Sequence, residues 1–256
     1  MTLVRSEPSK VMLVVGGARG IGAAVARLAA ERGYDVAISY REQASRAERV
    51  LTQIESAGAR AFTCRADVRD ATQVEQLFAR TEDALGSLDA VVIAAGVTGR
   101  ASSLADAPPE VLQETLDINV VGSLLCAREA VRRMARSRGG KGGSIVLLSS
   151  GASTLGSPGE FVWYAASKGA IDSLTIGLSK EVAADGIRVN AVAPGLTDTE
   201  LHALSTGEPG RIARMTPSIP IGRAASAEEI AEPVLWLSSS AASYITGTIV
   251  RAAGGR

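Results

Sequence analysis

Short apolar segments alternate with longer segments of helical periodicity along almost the whole chain, and this alternation constrains the fold strongly. The predicted strands are residues 11–15, 35–40, 59–64, 88–94, 143–149, 187–193 and 248–251. The predicted helices lie near residues 20–32, 43–57, 70–85, 109–137, 162–184 and 226–238. Continuously apolar strands separated by helices are typical of parallel sheets. The sequence therefore predicts an α/β fold, a doubly wound, Rossmann-type parallel sheet of about seven strands with helices on both faces.

The length of 256 residues fits one large domain of this kind. We expect residues 10–256 to form that domain and residues 1–9 to be a flexible N-terminal tail. Residues 199–225 interrupt the alternation and are rich in glycine and proline. A long irregular segment within a compact domain often covers a binding site, so we predict a substrate lid near residues 199–225.

The charge balance excludes several classes of partner. Lys+Arg and Asp+Glu both number 27, so a nucleic-acid or anionic-membrane partner is not expected. The first ten residues lack the apolar core of a signal peptide, and no apolar run approaches the ~20 residues that span a bilayer. A soluble cytoplasmic protein is the expectation. Cys64 and Cys126 then stay reduced as free, buried thiols.

A glycine-rich turn follows the first predicted strand and precedes a helix. It consists of Gly16, Gly17, Ala18, Arg19, Gly20, Ile21 and Gly22. Glycines there allow a sharp turn, close approach of a pyrophosphate to the backbone, and tight packing of helix on strand. The N–H groups at the helix start favour an anion. The pattern predicts a dinucleotide site, with a turn that binds no ligand as the alternative.

The end of the second predicted strand indicates which dinucleotide is bound. An NAD site usually has an acidic residue there, but this strand ends in Tyr40 and is followed by Arg41. A guanidinium matches a 2′-phosphate, and Arg19 could contact the same group. These residues favour NADP(H), although both arginines could be merely solvated. Asp67 and Val68 follow the third strand and could contact the adenine, or Asp67 could be only a loop or cap residue.

Tyr164 and Lys168 lie four residues apart in a predicted helix and therefore share a face. A nearby ammonium favours the phenolate, so we expect Lys168 to lower the pKa of Tyr164 toward the working range. Such a pair can exchange a proton with a carbinol oxygen. Ser149 and Ser150 end the fifth predicted strand at the carboxyl edge of the sheet, where ligands bind in open α/β sheets.

The joint occurrence of the glycine turn, the Tyr/Lys pair and the upstream serine resembles the short-chain dehydrogenase/reductase family in its short single-domain branch. The resemblance covers nearly all of residues 10–255 and extends to 3-oxoacyl-carrier-protein reductases and glucose dehydrogenase-like members. It implies an oxidoreductase that moves a hydride between a nicotinamide and a carbonyl or secondary alcohol. The implied cofactor is NADP(H), with NAD(H) possible, and the implied partner is a small-molecule substrate.

The resemblance also implies roles for individual residues. Tyr164 would be the acid/base, and Lys168 would lower its pKa and bind the nicotinamide ribose. Ser150 would polarise the substrate carbonyl, with Ser149 as the reserve candidate, and Asn119 would hold a water in the proton relay. The remaining implied cofactor contacts are Ala95, Gly96, Pro194, Gly195, Thr197 and Thr199.

Three segments depart from the family pattern. Val15 stands where the family usually has Thr, residues 93–96 read Ile-Ala-Ala-Gly in place of Asn-Asn-Ala-Gly, and residues 252–255 lack the usual Asp. The first two remove side chains that brace the cofactor-binding loops in relatives. They motivate one alternative function, a non-catalytic dinucleotide-binding sensor or scaffold, against which the retained Tyr164, Lys168, Ser150 and Asn119 argue.

The remaining expectations concern metals and assembly. His202, the only histidine, lies in the predicted lid. Its expected role is on the surface or in packing of the lid, with a substrate contact as the alternative. No metal site is predicted, because the sequence offers no second cluster of ligands. The helices at 109–137 and 162–184 carry apolar or small residues on more than one face, among them Ala165, Ala166, Gly169, Ala170, Leu174 and Leu178. A homo-tetramer or homo-dimer would bury them.

Overall fold

A parallel sheet runs through the centre of the protein. The structure is a computed structural model and describes residues 9–200 and 210–256. Its strands are β1 (Lys10–Val15), β2 (Tyr34–Tyr40), β3 (Ala61–Arg65), β4 (Ala90–Ile93), β5 (Gly143–Leu148), β6 (Ile187–Pro194) and β7 (Ile249–Ala252). They are hydrogen-bonded in the order β3-β2-β1-β4-β5-β6-β7, and every neighbouring pair is parallel. The predicted seven-stranded, doubly wound fold is confirmed.

Helices cover both faces of the sheet, as the apolar strands require. They are α1 (Gly20–Glu31), α2 (Ala44–Ser56), α3 (Ala71–Leu85), α4 (Pro109–Leu116), α5 (Gly122–Met134), α6 (Ala152–Leu155), α7 (Val162–Glu181), α8 (Arg211–Met215) and α9 (Ala227–Ser238). Helices α1, α2 and α9 bury their apolar sides in the core on one face. Helices α3, α5 and α7 do so on the other face, where Phe78, Cys126 and Ile171 are buried. Both Cys126 and Cys64 are free and buried, as predicted.

The predicted helix 109–137 is interrupted. Between α4 and α5, residues Asp117–Val121 form a π-helical turn that places Asn119 fully inside the protein. A π turn inserts one extra residue into a helix and is frequent at functional sites. Because the apolar periodicity continues through the insertion, the sequence pattern predicted one uninterrupted helix.

Other differences from the predicted elements lie at their ends. Strand β4 ends at Ile93 rather than at residue 94, and β3 is shifted by one to two residues from the predicted 59–64. Helices α6 and α8 span four and five residues, which is too short to produce a readable periodicity.

Parts of two predicted segments lie outside the described residues. These parts are residues 1–8 of the predicted tail and residues 201–209 of the predicted lid, which include His202. In the described remainder of 199–225, α8 is followed by a 3₁₀ turn at Thr216–Ser218, and Thr197 forms an isolated parallel bridge with Ala225. The lid assignment remains a prediction. Within the two described ranges, no helix is both long and apolar enough to cross a membrane.

The strand order creates a crevice at one edge of the sheet. From β1 the chain winds outward through β2 and β3, and from β4 it winds in the opposite direction to β7. The loops that follow neighbouring strands β1 and β4 therefore diverge at their carboxyl ends. In open α/β sheets, ligands bind at this switch point.

Candidate active site

The glycine turn after β1 adopts a conformation that side chains would obstruct. Gly16 has a φ of +82°, and a Cβ added to it would lie 2.8 Å from the backbone nitrogen of Ala95. A Cβ on Gly22 would lie 2.3 Å from the carbonyl oxygen of Gly16. Helix α1 begins at Gly20 without a side-chain cap and without an acidic residue in its first turn. Its first N–H groups and the positive end of its dipole are thus suited to an anion.

Ser39 braces this turn, a role that the sequence analysis missed. The backbone nitrogen of Gly16 donates to Ser39 Oγ at 3.0 Å, and that of Gly17 donates to the Ser39 carbonyl at 3.1 Å. On the other side, the nitrogen of Ala94 donates to the Val15 carbonyl at 2.9 Å. The turn is therefore held without a polar side chain at Val15 or Ala94.

One cleft of about 300 Å³ runs along the carboxyl ends of the strands. It is lined by every residue that the sequence analysis assigned to cofactor binding: Gly16, Arg19, Gly20, Ile21, Gly22, Tyr40, Arg41, Asp67, Val68, Ala95, Gly96, Tyr164, Lys168, Pro194, Gly195, Thr197 and Thr199. Ser150 also lines it, whereas Asn119 is not part of its wall. The fold thus brings together groups that are up to 183 positions apart, from Gly16 to Thr199.

Ion pairs surround one end of the cleft. Arg41 Nη2 lies 2.6 Å from Glu42 Oε1, and Arg41 Nη1 lies 3.6 Å from Glu114 Oε1. Asp67 Oδ2 lies 2.5 Å from Arg69 Nη2, and this hydrogen bond holds the pKa of Asp67 below its usual range. Asp67 accordingly stabilises its own loop and also lines the cleft, while Asp70 is the residue that caps α3.

Tyr164 and Ser150 lie beside each other at the other end of the cleft. Burial raises the pKa of Tyr164, and the neighbouring Ser150 hydroxyl opposes that rise only in part. The direction is opposite to the predicted one. Lys168 Nζ lies 5.7 Å from the centroid of the Tyr164 ring and donates instead to the Leu148 carbonyl at 2.6 Å. At this separation the desolvation of the phenol outweighs the attraction of the ammonium.

Lys168 is itself strongly affected by its surroundings. Burial lowers the pKa of its ammonium to about 8, and the Asp172 carboxylate works against that decrease. A phenol that stays protonated thus lies beside an amine that titrates near neutral pH. This arrangement suits a tyrosine that donates a proton better than one that removes it.

The two serines at the end of β5 have different partners. Ser149 is buried, and its Oγ donates to Asp172 Oδ1 at 2.5 Å. Ser150 interacts with Tyr164 and accepts from the backbone nitrogen of Ala152 at 3.1 Å. The geometry favours Ser150 over the reserve candidate Ser149.

Asn119 joins two loops from inside the protein. Its Oδ1 accepts from the Val97 nitrogen at 2.9 Å, and its Nδ2 donates to the Val97 carbonyl at 2.8 Å and to Ser167 Oγ at 3.0 Å. Both amide protons are therefore used by protein groups. In this arrangement the side chain fixes the loop after β4 against the helix that carries Tyr164.

A second cavity of about 490 Å³ adjoins the cleft and shares four residues with it, namely Ser150, Tyr164, Pro194 and Gly195. Its wall includes Leu155, Phe161, Leu196 and Met215. Glu160 holds Arg211 there through two hydrogen bonds of 2.8 and 2.7 Å. Trp163 does not line this cavity; it is buried, and its Nε1 donates to the Thr98 carbonyl at 2.8 Å. The described residues contain no cluster of side chains suited to a metal ion.

Comparison with known proteins identifies the family and agrees with the fold. The family described as enoyl-(acyl carrier protein) reductase matches residues 16–256. YgfF, an oxidoreductase of Escherichia coli K12, is 49% identical over 246 residues, covering 96% of this chain and 99% of the relative. The cis-4-hydroxycyclohexanecarboxylate dehydrogenase of Sinomonas cyclohexanicum is 39% identical, covering 96% of each chain. A short-chain dehydrogenase of Burkholderia cenocepacia J2315, solved in complex with NADP, superimposes with a TM-score of 0.88 at 34% identity, covering 96% and 97%.

The chain belongs to the short-chain dehydrogenase/reductase family. It is therefore an oxidoreductase of the class that acts on CH–OH and C=O groups. A non-catalytic sensor or scaffold is therefore not supported, and the turn whose departures at Val15 and Ala94 motivated that alternative is held by hydrogen bonds to Ser39.

Proposed function

We propose that the protein is an NADP(H)-dependent oxidoreductase that reduces a carbonyl to a secondary alcohol, or the reverse, with Ser150, Tyr164, Lys168 and Asn119 as its reaction machinery. One observation carries the proposal: Ser150 and Tyr164 both line the boundary where the cleft meets the second cavity. A carbonyl seated in the second cavity would meet both hydroxyl groups.

The test is a screen of ketones, quinones and 3-oxoacyl thioesters with NADPH and NADH. Turnover of at least one carbonyl is expected, and a complete blank with demonstrated NADPH binding would contradict the proposal.

The residues of the cleft fit the proposed cofactor. The uncapped start of α1 and the turn that excludes side chains suit a pyrophosphate, and Arg19 and Arg41 suit a 2′-phosphate. The Burkholderia relative solved with NADP supports this choice. Glu42, which pairs with Arg41, could instead accept from a ribose hydroxyl, so NAD(H) is the alternative cofactor. When bound, the nicotinamide supplies or accepts the hydride.

The protein's own side chains would transfer the proton and bind the reacting oxygen of the substrate. In reduction, Tyr164 donates its proton to the developing alkoxide, and Ser150 donates a hydrogen bond to the same oxygen. Lys168 contributes positive charge beside the phenol and would hold the nicotinamide ribose. Asn119 holds the loop after β4 against α7, through its hydrogen bonds with Val97 and Ser167. The raised pKa of Tyr164 keeps the phenol in its donating form.

The pH dependence follows from Lys168. Its ammonium is charged below a pKa of about 8 and neutral above it. The rate of carbonyl reduction is therefore expected to be level near neutral pH and to fall as the pH rises through 8. Tyr164 does not cause this fall, because burial raises its pKa. Steady-state rates measured at saturating NADPH from pH 6 to 10 check this, and a level profile up to pH 10 would contradict it.

We further propose that the chain assembles as a homo-tetramer or homo-dimer. Leu174 and Leu178, which we had counted toward the interface, pack against the core of their own chain. The exposed apolar residues on α4, α5, α7 and the π turn are Leu116, Val121, Leu124, Val162 and Ile176. Burying them would stabilise a partner contact. Light scattering coupled to gel filtration is expected to give two or four times 26.3 kDa, and a monomer at micromolar concentration would contradict the proposal.

A further inference from the structure

Asp172 lies one helical turn after Lys168 and two turns after Tyr164 on α7, so the three residues follow one stripe of that helix. Asp172 Oδ1 accepts a hydrogen bond from the Ser149 hydroxyl at 2.5 Å. Ser149 is the residue that follows β5, directly after Leu148, whose carbonyl accepts from Lys168 Nζ at 2.6 Å. Two neighbouring residues of the strand end therefore hold the amine and the carboxylate of the same helix.

The surroundings of Lys168 leave Asp172 as its counter-charge. The groups near the amine are Tyr164 and Asp172 on its own helix, the Leu148 carbonyl at the end of β5, and Gly96 and the Asn119 amide oxygen beside the loop after β4. Gly96 is close enough that a Cβ there would lie 3.5 Å from Lys168 Nζ. Among these described groups only Asp172 is a carboxylate.

We propose that Asp172, fixed by Ser149, is a positioning residue that keeps the buried side chain of Lys168 charged and directed into the cleft. The inference rests on the proposed function, because Lys168 acts there on Tyr164 and on the cofactor. Asp172 does not line the cleft and would touch neither substrate nor cofactor. Asp172 acts through the negative charge of its carboxylate, which stabilises the charged form of Lys168.

The physical basis is the cost of burying an unpaired ammonium. Desolvation lowers the pKa of Lys168 to about 8, and the Asp172 carboxylate is the group that opposes this decrease. Without that carboxylate the pKa would fall further, and a smaller fraction of the amine would be charged near neutral pH. The hydroxyl of Ser149 keeps the carboxylate in place and does not itself carry charge.

The first test measures NADPH binding as a function of pH in protein carrying Tyr164→Phe, so that the phenol no longer titrates. NADPH fluorescence is followed from pH 6.5 to 10 with and without Asp172→Asn. The alkaline midpoint of binding is expected near the pKa of Lys168 and is expected to move down by about one pH unit in the Asp172→Asn protein. Asp172→Glu is expected to restore the midpoint, and Ser149→Ala to lower it by less.

An unchanged midpoint, or a loss of affinity that is uniform across pH, would overturn the proposal and leave the proposed function intact. If the native protein bound no NADPH at any pH, the assigned cofactor would be wrong, and the second test would still decide the role of Asp172.

The second test needs no cofactor. Urea unfolding at pH 7 compares the effect of Asp172→Asn in the native background and in Lys168→Met protein. Asp172→Asn is expected to destabilise the native background, because it leaves a buried ammonium without its partner, and to destabilise the Lys168→Met protein less or not at all. Equal destabilisation in the two backgrounds would show that Asp172 has a structural role only.

Discussion

Replacing Tyr164 by phenylalanine is expected to lower kcat for carbonyl reduction by about 10²–10⁴-fold, the usual contribution of general acid catalysis. The substitution removes the hydroxyl that pairs with Ser150 where the two cavities meet, and it keeps the ring that Lys168 faces. Cofactor affinity depends chiefly on the glycine turn and the arginines, so the Kd for NADPH is expected to change little. Steady-state kinetics measure the change in kcat, and a fluorescence titration measures the Kd for NADPH.

Tyr40 provides the matched control, because it also lines the cleft but lies at the end of β2, among the ion pairs around Arg41. Tyr40→Phe is expected to leave kcat near that of the native protein. Normal turnover by the Tyr164→Phe protein would remove the phenol from the mechanism, and equal losses in both variants would indicate a general disturbance of the cleft.

Replacing Arg41 by alanine is expected to raise the Kd for NADPH by about 10–100-fold, the range of one or two charge-assisted hydrogen bonds. The Kd for NADH is expected to be almost unaffected, because NADH has no 2′-phosphate for Arg41 to hold. Arg41 now pairs with Glu42 and lies near Glu114, so a bound phosphate would compete with these carboxylates for the guanidinium. Fluorescence titrations with both cofactors measure the change in preference.

Arg46→Ala is the control for this second prediction. Arg46 is also near the cleft and is paired with Glu200, but it does not line the cleft wall. Its replacement is expected to leave the preference for NADPH over NADH unchanged. If Arg41→Ala weakened both cofactors equally, Arg41 would not be the residue that recognises the 2′-phosphate.

The fold was largely predictable because its signal is local. Each buried parallel strand is an apolar run by itself, and each helix carries its own periodicity, so the order of elements follows without knowledge of contacts. The π turn at Asp117–Val121 could not be predicted, since one inserted residue hardly changes the apolar spacing. Strand ends also escaped prediction, because the apolar run continues into Ala94 although β4 ends at Ile93.

The same distinction applies to the site. The glycine turn and the Tyr164–Lys168 pair are motifs of a few consecutive residues, and the structure places both at the cleft. Ser39 and Asp172 were missed because their hydrogen bonds, to Gly16 and to Ser149, each join residues 23 positions apart. The direction of the pKa shift of Tyr164 was wrong because spacing indicates proximity only. It does not show that Lys168 bonds to the Leu148 carbonyl or that the phenol is desolvated.

The proposed mechanism requires that the Tyr164 hydroxyl donates its proton beside a bound nicotinamide. A crystal structure of the protein with NADPH tests it most directly. The pyrophosphate is expected at the turn from Gly16 to Gly22. The nicotinamide ring is expected at the junction of the two cavities, adjacent to the hydroxyl groups of Tyr164 and Ser150. A cofactor bound elsewhere, or a Tyr164 hydroxyl directed into bulk solvent away from the ring, would contradict it.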